Sequence, residues 1–222
     1  MQPTLTRAAA TVAVKPPEGG YKPDFFAASA AVGASAGTGT PSDAELLQKH
    51  KAGGSDVPAD LSGAVKAFPA EFREVAVGPA ATVEVLRGRL GTSRIVHLSG
   101  LAASGDGGFR VADGEVSLNA IRAMALGAET VVITSPAEVP VQVERARAFL
   151  DAGAGAVVVA AWPLEAKDLT PVFEGFYGAV NRDHGAVRAM SDGRQSLVAD
   201  ALSGNEVDDP SIWGSFLVFA SP

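Results

Sequence analysis

From about residue 60 onward, short apolar runs alternate with segments whose apolar residues recur every three or four positions, the signature of strands alternating with amphipathic helices. Residues 72–77 read as a strand. Gly78-Pro79 then opens a helix in which Val83, Leu86 and Leu90 share one face while Glu84, Arg87 and Arg89 fall elsewhere. Residues 94–99 form the next strand, built on Ile95 and Val96. After a glycine-rich loop, Ser117 caps a helix that turns Leu118, Ile121 and Ala125 inward and stops at Gly127. Residues 130–134 are β-branched throughout and predict a central strand. Val143, Ala146 and Leu150 mark a helix ending at Gly153, and 156–161 is a third apolar strand, closed by Trp162-Pro163. Leu169, Val172, Phe173, Phe176 and Val180 mark another helix, 186–202 a further one, and 213–219 a last strand. The alternation predicts an α/β fold with a mostly parallel central sheet and helices on both faces. No internal repeat is visible, which excludes solenoids and propellers.

The preceding stretch is different. Residues 1–45 are rich in Ala, Gly, Pro, Ser and Thr, broken by Pro16-Pro17, Gly19-Gly20 and the run 33–41. Within it, 11–14 and 24–32 read as short strands, the second entering the main sheet. Ser42 starts a short helix through Gln48, and 53–58 is a linker. The chain divides into a partly irregular extension, 1–45, and a domain, 46–222.

Composition narrows the chemistry. The 222 residues contain no cysteine and three histidines, which excludes a thiol nucleophile, disulfides, thiolate zinc and iron–sulfur clusters. Neither a metal nor a cofactor is expected. Eighteen Lys and Arg against 25 Asp and Glu give a net charge of −7, which opposes binding to nucleic acid or to anionic membranes. No apolar run is long enough to span a bilayer and no basic leader precedes an apolar one, so a cytoplasmic protein is expected.

In an open α/β sheet, ligands gather outside the carboxyl ends of the strands, here the loops after 94–99 and after 130–134. Around them lie Ile95-Val96-His97-Leu98-Ser99-Gly100, then Asp113-Gly114-Glu115-Val116-Ser117, then Val131-Val132-Ile133-Thr134-Ser135. Further on come Phe149-Leu150-Asp151-Ala152-Gly153-Ala154, Val157-Val158-Val159-Ala160-Ala161-Trp162-Pro163, Phe176-Tyr177 and Ile212-Trp213-Gly214-Ser215-Phe216. In this order the segments resemble the CHAT family of caspase-like peptidases. The resemblance implies a caspase-like three-layer sandwich. It also implies a dyad in active members, with His-Gly after the first strand and Cys after the second. Laid onto this chain, those positions fall at Leu101 and Pro136. Leucine cannot accept a proton, and proline offers neither a nucleophile nor a backbone N–H. The resulting reading is a pseudopeptidase that binds a protein or peptide as a scaffold or regulatory domain, an active CHAT relative being one such partner.

Other residues keep two readings. His97 is either a base toward Ser99 or Ser135, giving a serine hydrolase, or a buried histidine with satisfied hydrogen bonds. The glycine-rich stretch 104–109 lacks the spacing of a dinucleotide fingerprint or a P-loop and reads as a loop beside the cleft. Asp106, Asp113 and Glu115 either attract a basic peptide side chain or are solvated loop charge. The stretch 135–138 caps the following helix. A third class of function is a structural subunit that assembles through a sheet edge or the N-terminal arm.

Overall fold

The computed structural model describes residues 25–29, 59–69, 73–162, 166–202, 212 and 214–221. The elements read at 11–14, 42–48 and 53–58, and the residues Pro163 and Trp213, lie outside the described residues.

Six strands make the central sheet: β1 (Phe25–Ser29), β2 (Arg73–Val77), β3 (Ile95–Ser99), β6 (Thr130–Ile133), β7 (Ala156–Ala160) and β8 (Phe216–Ala220). Their order is β2-β1-β3-β6-β7-β8, all neighbours parallel except β8, which runs antiparallel to β7. A two-stranded hairpin, β4 (Phe109–Val111) and β5 (Gly114–Val116), stands apart. The helices are α1 (Ser62–Ala67), α2 (Val83–Leu90), α3 (Leu118–Arg122), α4 (Val139–Asp151), α5 (Ala166–Val180) and α6 (Ala186–Leu202).

Alternate residues of each strand enter opposite cores. Val96, Leu98, Val131, Ile133, Val157 and Val159 pack with Leu86, Leu90, Ile121, Ala146 and Phe149 of α2, α3 and α4. Ile95, Val132 and Val158 pack with Leu61, Phe68, Phe173, Phe176 and Tyr177 on the face covered by α1, α5 and α6. A strand buried on both sides must be apolar on both sides, and β1, β3, β6 and β7 are buried along their whole length. β1, from the Ala- and Gly-rich N-terminal stretch, lies between β2 and β3.

Several local readings are corrected. Gly78-Pro79 begins only a 3-10 turn, and α2 starts at Val83, where Thr82 Oγ1 accepts from Val85 N (3.2 Å) and Asp113 Oδ1 accepts from Val83 N (2.8 Å). Ser117 does cap α3, accepting from Ala120 N at 3.0 Å, but the helix ends at Arg122 and Ala125 is exposed. In α4 the buried residues are Gln142, Arg145, Ala146, Ala148 and Phe149, so the inward face is rotated away from Val143 and Leu150 and includes two polar side chains. The N-cap of α4 is Glu138, which makes no side-chain cap, and the Ser135 hydroxyl bonds elsewhere.

Candidate functional site

Two polar networks meet at the carboxyl end of the sheet, one on each face. The α5-side network begins with Asp60, in the turn before α1, which reaches across β3 and β6. Its Oδ2 accepts from Ser99 Oγ–H and from Thr134 Oγ1–H, each at 2.6 Å, and lies 3.4 Å from His97 Nε2. Because Thr134 donates its own proton to Asp60, its oxygen accepts from His97 Nε2–H at 2.9 Å. The Tyr177 hydroxyl meets the other ring nitrogen, Nδ1, at 2.7 Å. Phe173 closes over the imidazole at 5.1 Å between ring centroids.

Every ring nitrogen and hydroxyl of this network is therefore engaged in a site that excludes water: His97 and Tyr177 are fully buried, and Asp60 and Ser99 nearly so. Burial alone would raise the Asp60 carboxyl, but the His97, Ser99 and Thr134 donors, together with the His97 charge interaction, outweigh it and hold the group at about 2. Burial, and then the Asp60 charge, push the Tyr177 phenol well above its ordinary range, so it stays protonated. His97 hydrogen-bonds to neither Ser99 nor Ser135, so of its two readings the geometry matches the buried histidine with satisfied hydrogen bonds. Ser99 donates its proton to a carboxylate instead of to an imidazole.

On the opposite face Ser135 is the hub. Its hydroxyl donates to Leu98 O (3.1 Å) and accepts from Leu101 N–H (3.0 Å), tying the loop after β6 to the loop after β3. Its carbonyl accepts from Gln142 Nε2 (2.9 Å) and Arg145 Nη1 (3.1 Å). Gln142 also donates to Ala160 O at 2.9 Å, which brings in the end of β7. Arg145 donates further to Gly107 O (2.7 Å) and Gly108 O (3.0 Å), and its guanidinium lies 4.5 Å from the centre of the Phe109 ring. Burial lowers the Arg145 guanidinium to about 10, so it remains charged at neutral pH although its described partners are carbonyl groups and a ring.

The two loops that would carry a dyad are thus tied together. Leu101 is packed in the core with 1% exposure, whereas Pro136 is exposed. Asp106 organises the turn between them and α3: Oδ1 accepts from Ser104 Oγ (2.7 Å) and Gly108 N (3.1 Å), and Oδ2 from Leu118 N (2.8 Å). Burial opposes ionisation of Asp106, but the Ser104, Gly108 and Leu118 donors together outweigh it and bring its carboxyl below the usual value. Asp113 caps α2, and Glu115 pairs with Arg110 across the hairpin at 3.2 Å. Beside this turn, between α3 and the start of α4, lies an open groove of about 500 Å³.

Reading the sequence singled out His97, Ser99 and Ser135 but not their partners Asp60, Thr134, Tyr177, Gln142 and Arg145. The signal available was the oddity of Gln142 and Arg145 flanking a helix's apolar stripe. Among the described residues no group of three or more His, Asp or Glu is placed to hold a metal ion, and no helix is long and apolar enough to cross a membrane.

A six-stranded, mostly parallel sheet between two helical layers, with its chemistry at two strand-end loops, defines a caspase-like α/β protein. The model of the CHAT domain matches residues 6–221, nearly the whole chain, and the chain belongs to the CHAT domain family. No match was found among curated proteins.

Proposed function

We propose that this chain is a catalytically inactive CHAT domain that works by binding a protein or peptide. The observation that carries the reading is the junction of the two strand-end loops. Leu101 and Pro136 stand where the family resemblance puts a His and a Cys, the sequence has no cysteine, and Ser135 Oγ occupies the Leu101 N–H. A nucleophile needs a base within hydrogen-bond reach and room for a substrate carbonyl beside it. Here both histidine nitrogens are committed to Thr134 and Tyr177. The serine hydrolase alternative has no matching geometry at Ser99 or Ser135.

Purified full chain is expected to turn over no fluorogenic peptide and to show no fluorophosphonate label at either serine. It is expected to capture a partner saturably from native lysate, with capture lost in the surface variant Pro136→Arg. Turnover or serine labelling would sink the reading, as would capture by neither the parent nor any variant.

A further inference from the structure

We propose that the groove between the 105–107 turn, α3 and the first turn of α4 seats a lysine or arginine side chain of a bound peptide. The inference rests on the peptide-binding reading above and names the chemistry of its ligand. The groove measures about 500 Å³, within the range of small-ligand sites. Leu118, Pro140 and Val141 make its apolar walls. Gly107 keeps it open: its φ is +88°, and a Cβ there would come 3.1 Å from Val141 Cγ1 and 3.6 Å from Leu118 Cδ1. Such walls suit the methylene stem of a long basic side chain, whose charge then needs an anion at the end of the stem.

The charged lining supplies that anion. Arg122 is neutralised by Glu144 at 3.1 Å and Asp151 at 3.7 Å, and Glu144 also takes Arg147 at 2.8 Å. Among the described residues Asp106 meets no cation, since its partners there are a hydroxyl and two backbone N–H groups. Oδ1 accepts two of those bonds and Oδ2 one, so Oδ2 retains an acceptor position on an exposed side chain. The amino end of α4 would favour an anion instead, but its N-cap is the acidic Glu138, and the lining holds two carboxylates against one guanidinium.

The test titrates the isotope-labelled full chain with blocked tripeptides, Ala-Lys-Ala and Ala-Arg-Ala, against the same frame carrying norleucine or citrulline, and against n-butylamine alone. The expected result is saturable shifts of the Gly107, Gly108, Leu118 and Asn119 amides with the lysine and arginine peptides. The uncharged peptides and butylamine should bind about tenfold more weakly. Asp106→Asn should remove the preference for charge. Because that change also touches the turn, Asn119→Lys serves as a second variant: it puts a cation at the exposed mouth and should abolish binding.

Equal binding of norleucine overturns the role of Asp106, and equal binding of butylamine overturns a peptide source. Shifts confined to other amides overturn the groove while leaving the peptide-binding reading intact. Silence from every peptide overturns the groove as well, and the lysate capture then decides the broader reading on its own.

Discussion

Asp60 shows how a single side chain is made essential by its surroundings. Removing a carboxylate from water is costly, and Asp60 remains ionised only because two hydroxyls and an imidazole N–H converge on it. Its folded value of about 2 against 3.8 for the free group means that the folded state binds protons less readily than the unfolded one. Its contribution of about 2 kcal/mol is therefore present above pH 3.8 and lost as pH falls through about 2. Urea titrations at stepped pH should show Asp60→Asn less stable by about 2–3 kcal/mol at pH 7, with the gap to the parent narrowing below pH 4. A gap that stays constant down to pH 2 would count against this account. Arg145 makes the complementary case, a buried cation that holds carbonyls. Arg145→Met should cost about 2–4 kcal/mol in the same assay, and Arg145→Lys should not rescue it, because one ammonium cannot span Gly107, Gly108 and Ser135 together. Neither residue was legible in the sequence. Asp60 lies 39 residues from Ser99 and 74 from Thr134, so nothing local marks it. Arg145 sits where a charge in an amphipathic helix is ordinarily read as solvent-facing.

At the scale of elements, legibility followed the strength of the apolar pattern. The buried strands β3, β6 and β7 and the helix α5 emerged because apolar runs rich in β-branched residues, and aromatic residues at helical spacing, leave little choice. The hairpin β4–β5 escaped because its strands are three residues each, set among Gly and Asp. How closely the helices approach was equally hidden. The α5–α6 crossing depends on Gly175 and Gly193: a Cβ at Gly193 would lie 2.6 Å from Val172 O, and one at Gly175 would lie 2.9 Å from Gly193 Cα. Gly193→Ala should therefore destabilise by roughly 1–3 kcal/mol despite alanine's better helix propensity. Gly88, inside α2 with nothing within 4 Å of its Cβ position, is the control, and Gly88→Ala should stabilise by about 0.5–1 kcal/mol. Thermal and urea unfolding of the two variants should move in opposite directions.

At the scale of the whole molecule, the two networks brace the same strand ends from opposite faces. Asp60 joins β3 to the residue after β6 beneath α5, while Ser135, Gln142 and Arg145 join the loops after β3 and β6 to the end of β7 beneath α4. A peptide backbone laid between those loops would have to displace the Ser135–Leu101 bond, and an imidazole at 101 would replace a leucine that is packed in an apolar core. Placing the family's dyad residue types at 101 and 136 should thus fail to produce cleavage. The double variant Leu101→His with Pro136→Cys is expected to cleave no fluorogenic peptide and to lose about 2–4 kcal/mol of stability through the buried imidazole. Its new thiol, at an exposed position, should be alkylated by iodoacetamide with an ordinary titration at about 8.5, because position 136 faces solvent while position 101 is packed in the apolar core. A thiol that reacts as a thiolate well below that pH, together with turnover, would mean that the loops can open and that two side chains alone are enough for cleavage. An ordinary thiol in a folded variant would place the block in the braces of the fold, which use the backbone of residue 101 and neither of the side chains at 101 and 136.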